Sequence, residues 1–147
     1  MQKASLFRCL FFTAVFLTLS ASGKAQCKSF SVNHCIKGLS SYYHNGQITS
    51  LKMLPGEKAE LMITFYSGQD YRLIICGHPV LGSVTYNIYD VNRNLIYNSA
   101  TSDYFGSYDF KVASTQQLTI EVEIPKSDSK TNFVETGCVS MLVGFKM

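Results

Sequence analysis

The stretch Leu118-Thr-Ile-Glu-Val-Glu-Ile124 alternates apolar and polar side chains without interruption. Successive side chains of an extended chain point to opposite faces, so this pattern predicts a β-strand with one face buried and the other in water. The same period of two recurs in Leu61–Phe65, Val84–Ile88 and Tyr108–Val112. Half-buried strands of this kind are typical of antiparallel sheets.

Two other stretches, Leu73–Cys76 and Val139–Phe145, are apolar at nearly every position. They predict central strands that are covered on both faces. Further strands are predicted at Ile48–Leu54 and Asn94–Tyr97, which makes about eight. No window sustains a helical period, and the only helical turn that we expect lies around Cys35–Tyr43. The sequence therefore predicts an all-β fold, an antiparallel β-sandwich resembling a jelly roll.

The first 25 residues have the pattern of a signal peptide. Lys3 and Arg8 form a basic start, Leu10–Leu19 is an apolar run, and small residues precede the expected cleavage site. The apolar run is shorter than the roughly 20 residues that span a bilayer. We predict that residues 26–147 form a single domain in the periplasm or outside the cell, without a membrane span after cleavage.

Two alternatives to cleavage after residue 25 are an uncleaved N-terminal anchor and lipidation of Cys27. Lipidation requires a small residue immediately before the cysteine, where this chain has Gln26.

Three of the 13 basic residues and none of the 10 acidic ones lie in the leader, so the remaining chain carries ten of each sign. This balance gives no support to a nucleic-acid partner.

Four cysteines follow the leader: Cys27, Cys35, Cys76 and Cys138. An even number in an exported chain predicts two disulfides, for which three pairings exist. We favour Cys27 with Cys35 because they are close in sequence, and Cys76 with Cys138 because both lie in predicted central strands.

Metal binding by these cysteines is the alternative interpretation. His34 stands beside Cys35, and His78 follows Cys76 by two positions. The spacings typical of zinc sites are absent, and disulfide formation would consume the thiolates that bind the metal. We therefore predict no zinc site.

The segment Asp90-Val-Asn-Arg-Asn94 matches the opening of a calcium-binding loop. The next position requires glycine and is Leu95, and the twelfth requires glutamate and is Thr101. Without the sharp turn and the bidentate carboxylate, the segment instead predicts a hairpin turn, because Asp and Asn favour left-handed turn conformations. No cofactor is predicted.

Aromatic side chains cluster at two places, Tyr42-Tyr43-His44 and Tyr104-Phe105. Exposed on loops, these rings would stack on sugars or anchor a protein partner. The alternative is that they cap the open ends of the sandwich core. We take the five residues as the candidate binding site.

Catalytic patterns are sparse. The chain has three histidines, His34, His44 and His78, and no Gly-x-Ser-x-Gly nucleophile motif. A small periplasmic hydrolase would have to use His44 or His78 with a nearby carboxylate. The prediction is therefore a protein that is not an enzyme.

Three segments together resemble a known group: Phe65–Cys76, Thr115–Pro125 and Gly137–Phe145. The chain is similar, over most of residues 27–146, to a group of small, uncharacterised exported β-sandwich proteins of gram-negative bacteria. More distantly, the strand order is similar to pre-peptidase C-terminal and CUB-like modules. Those modules are generally non-catalytic accessories of secreted proteins, so the resemblance implies a fold and a compartment and no activity.

These observations lead to one functional hypothesis with two alternatives. The hypothesis is a non-catalytic exported interaction or structural module of unknown ligand, with a protein or a glycan as its partner. The alternatives are a carbohydrate-binding module that uses the loop aromatics to hold a glycan, and the small hydrolase.

Overall fold

The computed structural model describes residues 27–99, 105–126 and 135–146. The predicted signal peptide lies outside these residues. Eight strands occur within them: β1 (Tyr43–Met53), β2 (Lys58–Phe65), β3 (Asp70–Gly77), β4 (Thr85–Tyr89), β5 (Leu95–Asn98), β6 (Phe105–Lys111), β7 (Gln116–Glu123) and β8 (Gly137–Lys146). All of the predicted strands are confirmed, with ends that differ by a few residues.

The strands form two four-stranded antiparallel sheets. Sheet A has the order β1-β8-β3-β6 and sheet B the order β2-β7-β4-β5. Both sheets therefore draw strands from the whole length of the chain, which is the arrangement of an eight-stranded jelly roll. The predicted all-β sandwich is confirmed. Strands β1 and β6 are the edges of sheet A, and β2 and β5 are the edges of sheet B.

The main core lies between the sheets and consists of the alternate apolar residues that the sequence indicated. From sheet B it includes Leu118, Ile120 and Val122 of β7, each at most 3% exposed. From sheet A it includes Leu73 and Ile75 of β3. The polar residues between them face outward, so the period of two is explained by the position of each strand between core and solvent.

The predicted double coverage of the central strands is also confirmed. The outer face of sheet A carries Ile74 of β3 and Leu142 of β8, both completely buried. They pack with Leu39 in a second apolar cluster. What covers this face is a helical segment spanning residues 27–39, which includes the turns Ser31–Cys35 and Ile36–Leu39. The helical turn was expected at Cys35–Tyr43, and it begins and ends earlier in the chain.

The disulfides join Cys27 to Cys138 and Cys35 to Cys76, so the favoured pairing was wrong. Cys27 and Cys35 are eight residues apart in the helical segment, a rise of about 12 Å that no disulfide spans. Cys76 lies opposite Ser140, which makes Cys138 its diagonal neighbour on the next strand. Diagonal neighbours are about 7–8 Å apart, beyond the usual disulfide range. Each cysteine of the helical segment therefore bonds to a different strand beneath it.

A buried serine cluster lies between the two disulfides. The Ser31 hydroxyl is within 2.5 Å of the Ser140 hydroxyl and 2.7 Å of that of Ser50, and it donates to the Cys27 carbonyl at 2.8 Å. These contacts satisfy the polar groups that the segment buries against sheet A. Close packing continues to Gly144, where an added Cβ would lie 2.8 Å from Leu39.

The predicted hairpin between β4 and β5 is confirmed. The Asp90 carboxylate accepts hydrogen bonds from the backbone N–H groups of Asn92 and Asn94, both at 2.8 Å, and from the Asn94 side chain. These bonds hold the pKa of Asp90 below its usual value. The left-handed residue of this turn is Arg93 (φ 64°) and not the expected Asn or Asp, and the Asp90 side chain serves instead as the acceptor that closes the turn.

Among the described residues, no helix is both long and apolar enough to be a candidate membrane span.

Candidate functional site

Tyr42, the first residue of the predicted binding cluster, is engaged in contacts within the chain. Its ring lies beneath two cations, 4.6 Å from the Arg72 guanidinium carbon and 4.4 Å from the Lys146 Nζ. Its hydroxyl donates to Asp109 at 3.2 Å. Partial burial, and then the negative charge of Asp109, raise the pKa of Tyr42. Tyr42 therefore caps the outer face of sheet A beside the helical segment.

Tyr42 contacts an ion pair between Arg72 and Asp109. Arg72 of β3 donates from Nε and Nη2 to the two carboxylate oxygens of Asp109 on β6, both at 2.6 Å. It also donates to the Gly38 carbonyl of the helical segment at 3.2 Å. The hydrogen bond from Arg72 is the main reason that the pKa of Asp109 is lowered.

We expect Asp109→Asn to destabilise the protein slightly at neutral pH and hardly at all in acid. Because the pKa of Asp109 is lower in the folded protein than in the unfolded chain, its stabilisation is present above the unfolded value of about 3.9. This stabilisation is lost as the pH falls through the pKa that Asp109 has in the folded protein. The side chain is 45% exposed, so we expect less than about 1 kcal/mol after solvent screening.

The measurement is urea unfolding of the wild type and Asp109→Asn at pH 6 and pH 2.5. Ser107→Ala, an exposed substitution on the same strand, is the control. If the difference in free energy of unfolding between the wild type and Asp109→Asn is the same at pH 6 and pH 2.5, the Asp109 carboxylate does not stabilise the fold through its ion pair with Arg72.

Tyr43, the first residue of β1, lies on the opposite side of sheet A from Tyr42, which precedes the strand and packs against the outer apolar cluster. Its side chain is 64% exposed, and its ring centroid lies 6.4 Å from that of Phe145. His44 is next to a register irregularity in β1, where its Nε2 lies 2.8 Å from the Gln47 carbonyl oxygen. The predicted Tyr104 lies outside the described residues, as does the side chain of Phe105.

A cleft lies between the edge strands β1 and β2, and Phe145, the neighbour of Tyr43, is in its lining. At the narrow end of the cleft, beside the turn that connects the two strands, Met53 and Ala59 line a cavity of about 60 Å³. At the wide end, towards Gln47 and Tyr66, the cavity has a volume of about 530 Å³. The second value lies in the range typical of ligand pockets.

The wide end of the cleft is lined by uncharged side chains among the described residues. Its floor and walls are apolar, with Ile63 and Phe65 from β2 and Val143 and Phe145 from β8. The polar groups at its mouth are amides and hydroxyls: Gln47, Thr49, Thr64 and Gln69. This lining is suited to apolar groups accompanied by uncharged hydrogen-bonding groups.

Two large apolar residues that border the cleft are largely exposed, Met62 at 66% and Tyr66 at 63%. The Met62 side chain lies on the outward face of β2, where it also lines a smaller cavity with Glu60 and Arg93. The turn after β2 is held in place by the Tyr71 hydroxyl, which accepts a hydrogen bond from the Tyr66 backbone N–H at 3.0 Å and donates to Gln69 at 2.9 Å. We call Met62, Tyr66 and Tyr43, whose ring neighbours Phe145 of the lining, the rim of the cleft. The rim is an exposed apolar surface beside a preformed cavity.

The alternation over Leu61–Phe65 predicted a half-buried strand and did not select Met62 or Tyr66 as site residues. A signal was nevertheless present, because the run Leu61-Met62-Ile63-Thr64-Phe65-Tyr66 places apolar residues on both faces of a strand. In β3 and β8 this pattern marks coverage on both sides. In an edge strand it marks an exposed apolar surface.

Among the residues that the structure describes, each histidine makes a separate contact rather than a pair with a carboxylate. The His78 ring accepts from the Val80 backbone N–H at 3.3 Å, and His34 stacks on Phe30 with ring centroids 5.3 Å apart. His44 contacts a backbone carbonyl, as described above. Within the described ranges, no histidine forms an ion pair with a carboxylate, and no group of three metal-ligating side chains occurs.

No protein-family model and no curated protein matches this chain. Among solved structures it is similar to PliG of Aeromonas hydrophila, a periplasmic lysozyme inhibitor of g-type lysozyme. The identity is 12% and the TM-score 0.50, over 71% of this chain and 91% of that one. It is also similar to the pre-peptidase C-terminal domain of a Bacillus anthracis collagenase, with 11% identity and a TM-score of 0.41 over 65% and 87% of the two chains. A pre-peptidase C-terminal domain, the kind of module that the sequence resembles distantly, is thus among the similar solved structures. What the chain shares with PliG is the fold.

Proposed function

We propose that the protein is an exported, non-catalytic module that binds another protein through the cleft and its rim. The observation that carries this proposal is the exposed apolar rim of Tyr43, Met62 and Tyr66 beside a preformed, uncharged cavity. Exposed apolar side chains that border a cavity are a common feature of protein-interaction surfaces. Rigid aromatic side chains also contribute strongly to binding at a small entropic cost.

Two features support export. The leader has the pattern of a signal peptide. The two disulfides are typical of proteins that fold in an oxidising compartment, such as the periplasm or the cell exterior. The disulfides also fix the helical segment on the outer face of sheet A.

A protein partner is supported by the similarity to PliG, which is itself an inhibitor of a protein. A purified g-type lysozyme is therefore the first defined probe. The non-catalytic role is supported by the separate hydrogen bonds of His44 and His78, each of which is made to a backbone group.

Site-specific photo-crosslinking in the exporting cell tests the proposal. Benzoyl-phenylalanine placed at Tyr66, in the rim, is expected to give a discrete protein adduct upon irradiation. The matched control is the same residue at Val32, which is 46% exposed on the helical segment. We expect no adduct of that size from the control position.

The proposal is wrong if position 66 gives no protein adduct, or gives the same adducts as position 32. Retention of the protein on affinity gels that contain cell-wall polysaccharide, with no protein adduct, would instead favour the carbohydrate-binding alternative.

A further inference from the structure

Strand β2 is a regular edge strand that borders the cleft. It pairs with β7 in unbroken antiparallel register from Lys58 to Phe65 and is the last strand of sheet B. An edge strand leaves alternate backbone N–H and C=O groups unpaired, and proteins usually protect such edges with bulges, prolines or charges. Strand β1 has an irregularity between His44 and Ile48, whereas β2 has none.

The charged residues that protect the free edge of β2 against pairing lie at one end of the strand only. The charged residues Lys58 and Glu60 lie near the narrow end of the cleft, and the following stretch 61–66 contains neither a charge nor a proline. Among the described residues, no backbone hydrogen bond reaches the free edge of residues 61–65. This edge is therefore a template for pairing with another extended chain.

The cleft determines which side chains such a chain would carry. Alternate side chains of a strand paired with β2 would point between the sheets, towards Ile63, Phe65 and Phe145. A charged side chain placed there would lose its hydration without gaining an ion partner, because the lining is uncharged. Apolar or aromatic side chains would instead exchange water for the apolar floor.

We propose that the cleft binds an extended segment of the partner protein by strand addition to β2, with uncharged apolar side chains inserted at alternate positions. This inference rests on the proposed function and specifies the form of its partner. Backbone hydrogen bonds would supply affinity, and the cavity of about 530 Å³ would select the side chains.

Selection of random linear 12-residue peptides displayed on phage, with the mature protein as the immobilised target, tests this inference. We expect the enriched peptides to carry uncharged apolar residues at alternate positions. Thr49 lies on β1, across the cleft from β2, and is exposed. A charge placed there by Thr49→Glu should weaken binding of the selected peptides at least tenfold, whereas the matched Thr49→Val should not. Unchanged circular dichroism and melting temperature of both variants verify their folding.

A second variable distinguishes strand addition from simple apolar contact. N-methylation of alternate backbone amides in a selected peptide removes the hydrogen-bond donors along one of its two edges. If the blocked edge is the one that faces β2, we expect binding to weaken at least tenfold. The inference is overturned if no peptide is enriched on the wild type over Thr49→Glu, or if methylation of neither edge weakens binding. A protein adduct at position 66 together with either of these results would leave the proposed function standing and reject the strand-addition mode alone.

Discussion

Replacement of Cys27 and Cys138 by alanine is expected to lower the free energy of unfolding by about 5 kcal/mol, and replacement of Cys35 and Cys76 by about 4 kcal/mol. The reason is the length of chain that each disulfide closes, since the sequence separations are 111 and 41 residues. A longer loop loses more conformational entropy in the unfolded chain when it is closed. Guanidinium unfolding of the two double variants is the measurement.

A matched control is Ser31→Ala, which alters the same interface and leaves both disulfides intact. Its expected cost is about 1–3 kcal/mol, because it leaves the buried Ser140 hydroxyl with fewer partners. A peptide map under non-reducing conditions should also yield a Cys27 peptide joined to a Cys138 peptide. Recovery of Cys27 joined to Cys35 would contradict the docking of the helical segment on sheet A.

The eight strands were predictable because their signal is local. A period of two, as in Leu118–Ile124, requires only that one face of a strand meets the core. The continuous apolar runs in β3 and β8 likewise reported coverage on both faces. The sequence did not identify what provides the outer cover, because a short helical segment shows too few turns for a helical period to stand out.

The disulfide pairing could not be derived from cysteine count and sequence proximity. The relevant signal was the spacing Cys27-x3-Ser31-x3-Cys35-x3-Leu39, which puts small and apolar residues on one face of a helical segment. That face meets two adjacent strands, so each cysteine bonds across the interface. Proximity in sequence favoured Cys27 with Cys35 only as long as the segment was treated as a loop.

The candidate site was only partly predictable because it lies where the edges of the two sheets meet. The alternation of apolar residues indicates only which face of a strand is buried. Tyr43 was selected with Tyr42, yet the Tyr42 ring lies beneath Arg72 on the outer side of sheet A, and the Tyr43 ring lies near Phe145. The cleft exists because the edge strands β1 and β2 lie on the same side of the sandwich. No alternation pattern specifies that arrangement, and so Met62 and Tyr66 were not selected.

Phe65→Ala is expected to lower the free energy of unfolding by about 3–5 kcal/mol, through lost burial and the cavity left behind. The Phe65 side chain is 1% exposed and makes edge-to-face contacts with Tyr71 and Phe110, with ring centroids 4.9 and 5.0 Å away. It also forms part of the floor of the cleft. Thermal or denaturant unfolding measures the loss, and Phe65→Leu, which retains most of the buried volume, should recover much of it.

The adjacent residue provides the sharpest control, because Phe65 is buried whereas Tyr66, the first residue after β2, is exposed. Tyr66→Ala removes a ring that is 63% exposed and keeps the backbone N–H that donates to Tyr71, so its cost in stability should stay within about 0.5 kcal/mol. Its effect should instead fall on partner binding, which we expect to weaken at least tenfold because an exposed aromatic anchor is lost. If Tyr66→Ala unfolds the protein as readily as Phe65→Ala does, the rim is part of the core, and the surface assigned to the partner does not exist in the folded protein.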